Sequence, residues 1–169
     1  MADTIYKDLR KKLDLTREEV CDEASKRNQV LTYERLERIE NGKFPVTPHE
    51  VMLLSEIYGE PTLCNHFCSK DCPIGQKYVP EIKVKDLTQI ILEMLSSLNS
   101  MKKSQERLIE ITADGNIDDD EIKDFVFIQQ ELERISITVE TLQLWVERML
   151  ADGKINLEKY NEIKGKAEI

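Results

Sequence analysis

The chain has no run of 18 apolar residues, so none of its segments reads as a transmembrane helix. Its Met1-Ala2-Asp3 start lacks the basic and apolar regions of a signal peptide, and we expect a soluble, cytoplasmic protein with no membrane partner. Histidine is scarce: His49 and His66 sit in unrelated contexts. Neither a glycine-rich phosphate loop nor a nucleophile elbow is present, so no constellation for catalysis is assembled and we expect no enzyme. Carboxylates are abundant, but spacings such as Glu106-Glu110 and Glu131-Arg134 are those of a solvated helix face. Positive charge is short as well, with 24 Lys and Arg against 33 Asp and Glu for a net charge of -9, which excludes nonspecific nucleic-acid binding over the whole surface. The deficit is uneven. Residues 1–62 carry 10 basic and 13 acidic side chains, whereas residues 81–169 carry 12 and 19.

Against that background the stretch from Leu15 to Lys43 is the most informative. Thr16 with Glu19 three residues on forms a capping box, in which hydroxyl and carboxylate satisfy the open amides of a first helical turn. Asn41-Gly42 stops a second helix, because glycine accepts the left-handed geometry of a C-cap. Leu15, Val20 and Ala24, then Leu31, Leu36 and Ile39, give each helix one buried stripe. Two capped amphipathic helices in tandem fit a helix-turn-helix.

Leu15-Thr16-Arg17-Glu18-Glu19-Val20 and Arg38-Ile39-Glu40-Asn41-Gly42-Lys43 resemble the lambda-repressor-like (Cro/cI-type) helix-turn-helix family, over roughly residues 3–68. The resemblance implies a five-helix DNA-binding domain whose third helix enters the major groove of double-stranded DNA. It puts Tyr33, Glu34, Arg35 and Arg38 at base-reading positions and Thr16, Arg17, Asn41 and Lys43 where phosphate is gripped. Either Arg35 or Arg38 could pair bidentately with a guanine edge, and Glu34 could accept from a cytosine amino group. Arg10 and Glu40 fall where similar proteins form an ion pair between the first and third helices. One departure stands out: Ser25-Lys26-Arg27-Asn28-Gln29 makes the connection between the second and third helices about five residues longer than in similar proteins. Lys26 and Arg27 either add phosphate contacts or are solvated loop charges. Affinity should be modest, resting on Arg17, Lys26, Arg27, Arg35, Arg38 and Lys43, doubled by a dimer.

A fourth helix is expected over residues 48–58, stopped by Gly59, and a short fifth after Pro61. It leads into a cysteine-containing linker, residues 63–80, in which Cys64, Cys68 and Cys72 recur every four residues. With His66 these thiols could complete a tetrahedral zinc site or ligate an iron–sulfur cluster, although the spacing is not that of paired Cys-x2-Cys motifs and His66 lies off the face shared by Cys64 and Cys68. Reduced thiols packed under the segment and a reversible disulfide are the alternatives. Cys21 occupies a helix-two position usually filled by a small buried residue, which favours a core thiol.

From Val84 the pattern changes to long helices. Leu87, Ile91, Met94, Leu98, Met101 and Leu108 form one row, and Phe125, Ile128, Leu132, Ile135, Val139, Leu142, Val146 and Met149 form another at coiled-coil spacing. Helices near residues 84–113 and 118–150 would each reach on the order of 40–50 Å. The string Asp114-Gly115-Asn116-Ile117-Asp118 is expected to join them as an antiparallel hairpin. Asp-Gly-x-Ile recurs at Asp152, and the comparison with a calcium loop fails because Arg148 and Leu150 would stand at ligand positions of the second copy. Secondary stripes that include Ile90, Leu95 and Trp145 call for a partner. The simplest is a second copy, and the alternative is a third helix, near residues 156–164, covering the surface within one chain.

The expectation is thus an all-α chain: a five-helix lambda-repressor-like DNA-binding domain (residues 1–62), the linker (63–80) and a coiled-coil-like helical hairpin with a short third helix that dimerises (81–169). Its expected function is sequence-specific transcriptional regulation as a homodimer, with modulation through the cysteine cluster. An interaction adaptor whose helix-turn-helix has lost DNA binding, or a metal or redox sensor, are the alternatives.

Overall fold

A computed structural model describes residues 4–111 and 117–167, and among them every regular element is helical. No helix among the described residues is long and apolar enough to cross a membrane. The chain divides into two compact units, Met1–Glu81 with Arg148–Ile169, and Ile82–Glu147.

The first unit opens with α1 (Ile5–Lys12), α2 (Arg17–Lys26), α3 (Tyr33–Glu40), α4 (Pro48–Tyr58) and α5 (Thr62–His66). Threonine starts the middle three. Thr16 and Thr47 form complete capping boxes with Glu19 and Glu50, and the Thr32 hydroxyl accepts from the Arg35 amide. The expected stripes are inside: Val20, Ala24, Leu31, Leu36 and Ile39 are buried and the half-buried Leu15 packs on them. Leu54, Tyr58 and Leu63 complete the core. The long connection at Ser25 is accommodated mostly by α2 itself, which runs to Lys26 and is closed by Asn28 at a left-handed φ of 55°. Val30 then faces solvent and Leu31 returns to the core.

Three helices of this unit converge on Glu40, whose side chain is fully buried. Arg10 on α1 donates to both carboxylate oxygens at 2.5 and 2.9 Å, and Arg17 at the start of α2 donates to the second oxygen at 2.9 Å. Arg10 also donates to the Leu15 carbonyl at 2.8 Å, and the Thr4 hydroxyl donates to the Glu40 carbonyl at 3.0 Å. Burial works to raise the Glu40 carboxyl, but the hydrogen bonds from Arg10 and Arg17 outweigh it and hold the group below its ordinary range.

Residues 63–80, expected as a linker, are packed onto this core instead. Leu63 is buried, and Cys64 and Phe67 pack against the cluster. After α5 the helix widens into a π-helical turn, Phe67–Asp71, closed by the Cys72 amide donating to the Phe67 carbonyl at 2.9 Å. A short helix α6 (Gly75–Tyr78) folds back against it so closely that a Cβ at Gly75 would stand 1.9 Å from the Cys68 carbonyl oxygen. Only glycine fits there. Asn65 donates to the Pro80 carbonyl at 3.0 Å and pins the end of the segment.

The second unit contains α7 (Leu87–Ile111) and most of α8 (Ile122–Ala151). Arg107 reaches Asp124 at 2.7 Å, and Ser97 shares a small depression with Arg134 and Thr138, so the two helices run side by side in opposite directions. The connection expected at Asp114 lies mostly outside the described residues, although Asp118 begins the α8 approach with its amide donating to Glu121 at 3.2 Å. The second Asp-Gly is a helix stop, as Gly153 takes a φ of 68° and the Lys154 amide closes on the Met149 carbonyl. It is followed by α9 (Leu157–Ala167), which starts where Asn156 accepts from the Lys159 amide.

The buried face of the pair differs from the expected rows. Ile128 is buried as expected, but Glu131 and Thr138 are buried beside it, whereas Leu132 and Val139 are exposed. On α7 the closed face holds Ile90, Ser97 and Ile111, while Leu87, Ile91 and Leu98 are exposed. Polar side chains tolerate these positions because Glu131 accepts from Arg134 at 2.8 Å and Thr138 and Thr141 bond back to carbonyls one turn earlier. Of the expected rows, Leu87, Ile91 and Leu98 on α7 and Leu132 and Val139 on α8 are exposed, Ile128 is buried and the others are half-buried.

Replacing Glu40 by alanine should cost roughly 3–5 kcal/mol, because it leaves two inward-held arginines without their anion. Since the folded carboxyl is held low, its contribution is fully present above the unfolded glutamate value near about 4.3 and is lost as pH falls through the lowered folded value. Thermal unfolding from pH 7 to 3 checks both points. A Glu40→Ala protein as stable as wild type, or with the same loss on acidification, would contradict them.

Candidate nucleic-acid interface

The residues singled out at α2 and α3 are brought onto one surface, but their side chains differ in what they already hold. Thr16 spends its hydroxyl on the capping box, accepting from the Glu19 amide at 3.2 Å, while its own amide donates to the Glu19 carboxylate at 2.7 Å. Arg17, expected as a phosphate grip, is turned inward. Besides Glu40 it donates to the Tyr33 hydroxyl at 3.2 Å and to Glu37 at 3.4 Å, with its guanidinium 5.4 Å from the centre of the Tyr33 ring. Burial lowers its affinity for the proton, yet Tyr33 and Glu40 more than compensate and its pKa is raised.

Arg35 is committed in a similar way. Its guanidinium makes a bidentate pair with Glu50 at 2.6 and 2.7 Å and donates to the Pro45 carbonyl at 2.9 Å. Such a fork has the geometry that would read guanine, and here a carboxylate of the protein itself occupies it. Arg35 hydrogen bonds press the Glu50 carboxyl down, against partial burial and with help from Thr47, so Glu50 remains the anion of the pair.

Arg38, one turn further along, is exposed and stacks on Phe44, with its guanidinium 5.5 Å from the ring centre. It makes no ion pair among the described residues, and neither does exposed Lys43, whose amide closes the turn on the Arg38 carbonyl at 2.9 Å. Glu34 is exposed on the same helix, Tyr33 is partly exposed, and Asn41 ends the helix half-buried. Gly42 follows with a φ of 64°. The outward face therefore presents Arg38 and Lys43, which form no ion pair among the described residues, together with Tyr33, Phe44 and Glu34. Lys26 and Arg27 lie at the end of α2, both paired with Glu23 at 2.6 and 2.7 Å.

Sequence reasoning missed Glu50, Pro45 and Phe44 as the residues that set the two arginines. A signal was available for Glu50, since Thr47-Pro48-His49-Glu50 is a second capping box of the kind recognised at Thr16. Nothing local indicates that the same carboxylate also takes Arg35.

At the cysteine segment Cys64, Cys68 and Cys72 are free and half-buried, and so is His66. Burial pushes the Cys68 thiol up, and the neighbouring Cys72 and Cys64 push it further, so the three sulfurs share one locality. Among the described residues no group of three or more His, Cys, Asp or Glu side chains is arranged to hold a metal ion. Cys21 lies half-buried on α2 near Asp22 and Glu18, its thiol raised first by burial.

Comparison with protein-family models, with curated proteins and with solved structures yields no match to this chain in any of the three.

The Arg35–Glu50 fork should open when Glu50 is protonated. Because that carboxyl is held low, the pair is complete above the ordinary glutamate value near about 4.3 and is lost as pH falls through the lowered value. In proton–nitrogen NMR spectra the Arg35 Nε–H should be protected from exchange at neutral pH and lose protection in acid. In Glu50→Gln that protection should already be reduced at neutral pH. An unchanged Arg35 signal in the variant would show that the carboxylate does not hold the fork.

Proposed function

We propose that this chain is a DNA-binding transcriptional regulator of the lambda-repressor-like kind, acting as a homodimer. The observation that carries the reading is the capped α2–α3 pair with Arg38 and Lys43 projecting, uncommitted, from the end of α3 and the turn after it. The anchored Arg10–Glu40 pair and the sequence resemblance at Leu15–Lys43 support it. The commitment of Arg17 and Arg35 shifts the expected division of labour. Arg38 becomes the principal base reader, Tyr33 and Glu34 flank it, and Lys43 meets phosphate.

Exposed apolar side chains on α7 and α8 support the dimer. Leu87, Ile91 and Leu98 on α7 and Leu132 and Val139 on α8 are exposed in the chain, a surface that water disfavours and that a second copy can cover by meeting it with the same rows. The same rows carry no lysine, arginine or acidic residue, so two copies meet there without like-charge repulsion. The short third helix, the other candidate cover, has its own Leu157 and Ile163 exposed.

A specific observation also favours the interaction-adaptor reading, namely that Arg17 and Arg35 are neutralised internally while Glu34 remains on the face. The two readings part on DNA retention at low salt.

Selection of bound sequences from random duplex DNA should return a pseudo-palindromic site. Arg38→Ala should then cost about 1–3 kcal/mol and relax preference at one base pair per half-site. Lys43→Ala should weaken all sequences alike and reduce the salt slope by about one. Failure of the wild type to retain any DNA at low salt would remove this reading and leave the adaptor.

Sedimentation should give a dimer for the wild type and a monomer for the double variant Leu98→Glu with Leu132→Glu, both proteins keeping their helical circular dichroism. A monomeric wild type at high concentration, or a dimer undisturbed by the two charges, would refute the pairing surface.

A further inference from the structure

A cleft of about 600 Å³ opens in the first unit between the start of α1, the loop after α3 and the cysteine segment. Its size is within the roughly 300–1,000 Å³ of small-molecule sites. Phe44, Pro45, Val46 and Phe67 supply apolar walls, and Tyr6, Lys70 and Asp71 line the polar end. Tyr6 is 4% exposed, and its hydroxyl meets no hydrogen-bond partner among the described residues. Native structures seldom leave such a group unsatisfied. Asp71, at the end of the π-helical turn, is exposed and makes no ion pair among the described residues, its neighbour Lys70 being taken by Glu81 at 2.6 Å. Tyr6 and Asp71 are close enough that the carboxylate adds to the upward shift burial imposes on the phenol. The cleft thus brings together an available anion, an unsatisfied buried hydroxyl and aromatic faces, a set that suits a positively charged group on an apolar body.

We propose that this cleft binds a small organic cation, an amine carried on an aromatic or alkyl body, with its ammonium between the Asp71 carboxylate and the Tyr6 hydroxyl and its body against Phe44 and Phe67. The consequence for DNA rests on the reading of the preceding section. The cleft wall is the loop whose Pro45 carbonyl accepts from Arg35 and whose Phe44 ring lies under Arg38. A ligand seated on that wall acts on both arginines, which makes the cleft an effector site.

The test uses 2-phenylethylamine as the probe, titrated into the full-length chain without DNA and followed by amide NMR. Saturable shifts centred on Tyr6, Phe44, Phe67 and Asp71 are expected, with binding weakened roughly tenfold or more in Asp71→Asn. The neutral analogue 2-phenylethanol should not saturate. Tyr6→Phe should weaken the amine with no loss of thermal stability, since its hydroxyl has no partner to lose. Absence of saturable binding to wild type, or equal affinity in Asp71→Asn, overturns the proposal. The amine should then alter DNA retention in wild type and not in Asp71→Asn, and equal effects on both would refute the effector role. Amine binding without DNA retention upholds the cleft and rejects the regulator, whereas DNA retention without amine binding rejects the cleft alone.

Discussion

The Glu40 carboxylate is the constraint on which the first unit depends. A fully buried anion is tolerated only when its charge and its lone pairs are both met, and two guanidiniums supply three hydrogen-bonding nitrogens at the cost of ordering two long side chains. The arrangement fixes α1, the start of α2 and the end of α3 relative to one another, because the arginines come from the first two helices and the anion from the third. It also determines what remains for recognition. Arg17 is spent on architecture, and Tyr33 is positioned by the same arginine that holds Glu40.

Internal pairing recurs across the surface where DNA contact is proposed. Arg35 is held by Glu50, and Lys26 and Arg27 by Glu23. Each pair reduces the cationic field available to phosphate, in a chain whose overall balance is already acidic. In the proposed regulator, affinity built on few cations would depend strongly on two reading units acting together, which is the part proposed for the exposed apolar residues of α7 and α8.

Much of the first unit was legible in the sequence because its determinants are local. Capping boxes act over three residues, Gly42 and Gly59 close helices through backbone freedom, and stripes such as Val20-Ala24 and Leu36-Ile39 announce which face is covered. The all-helical class followed from the same signals. The partner of Arg35 was not legible, since Glu50 lies fifteen positions away and only tertiary packing brings it near. Residues 63–80 read as a linker because their polar, proline-containing composition conceals that Leu63, Cys64 and Phe67 reach the core. The seam of the long helices was legible only in part, for another reason. Hydrophobic periodicity identifies the most apolar face of a helix, and that face is the one covered first only when no stronger claimant exists. Ile90, Ile111 and Ile128 anchor the intrachain contact, and Glu131 and Thr138 are carried inside with them.

That rotation has an effect on how the protein would respond to its own abundance. In the proposed homodimer, exposed side chains such as Leu98 and Leu132 are covered only when two copies meet, so the paired species grows with the square of the free one. A regulator assembled this way reads synthesis and dilution directly: halving the number of copies in a cell cuts the DNA-competent form by more than half, with no ligand involved.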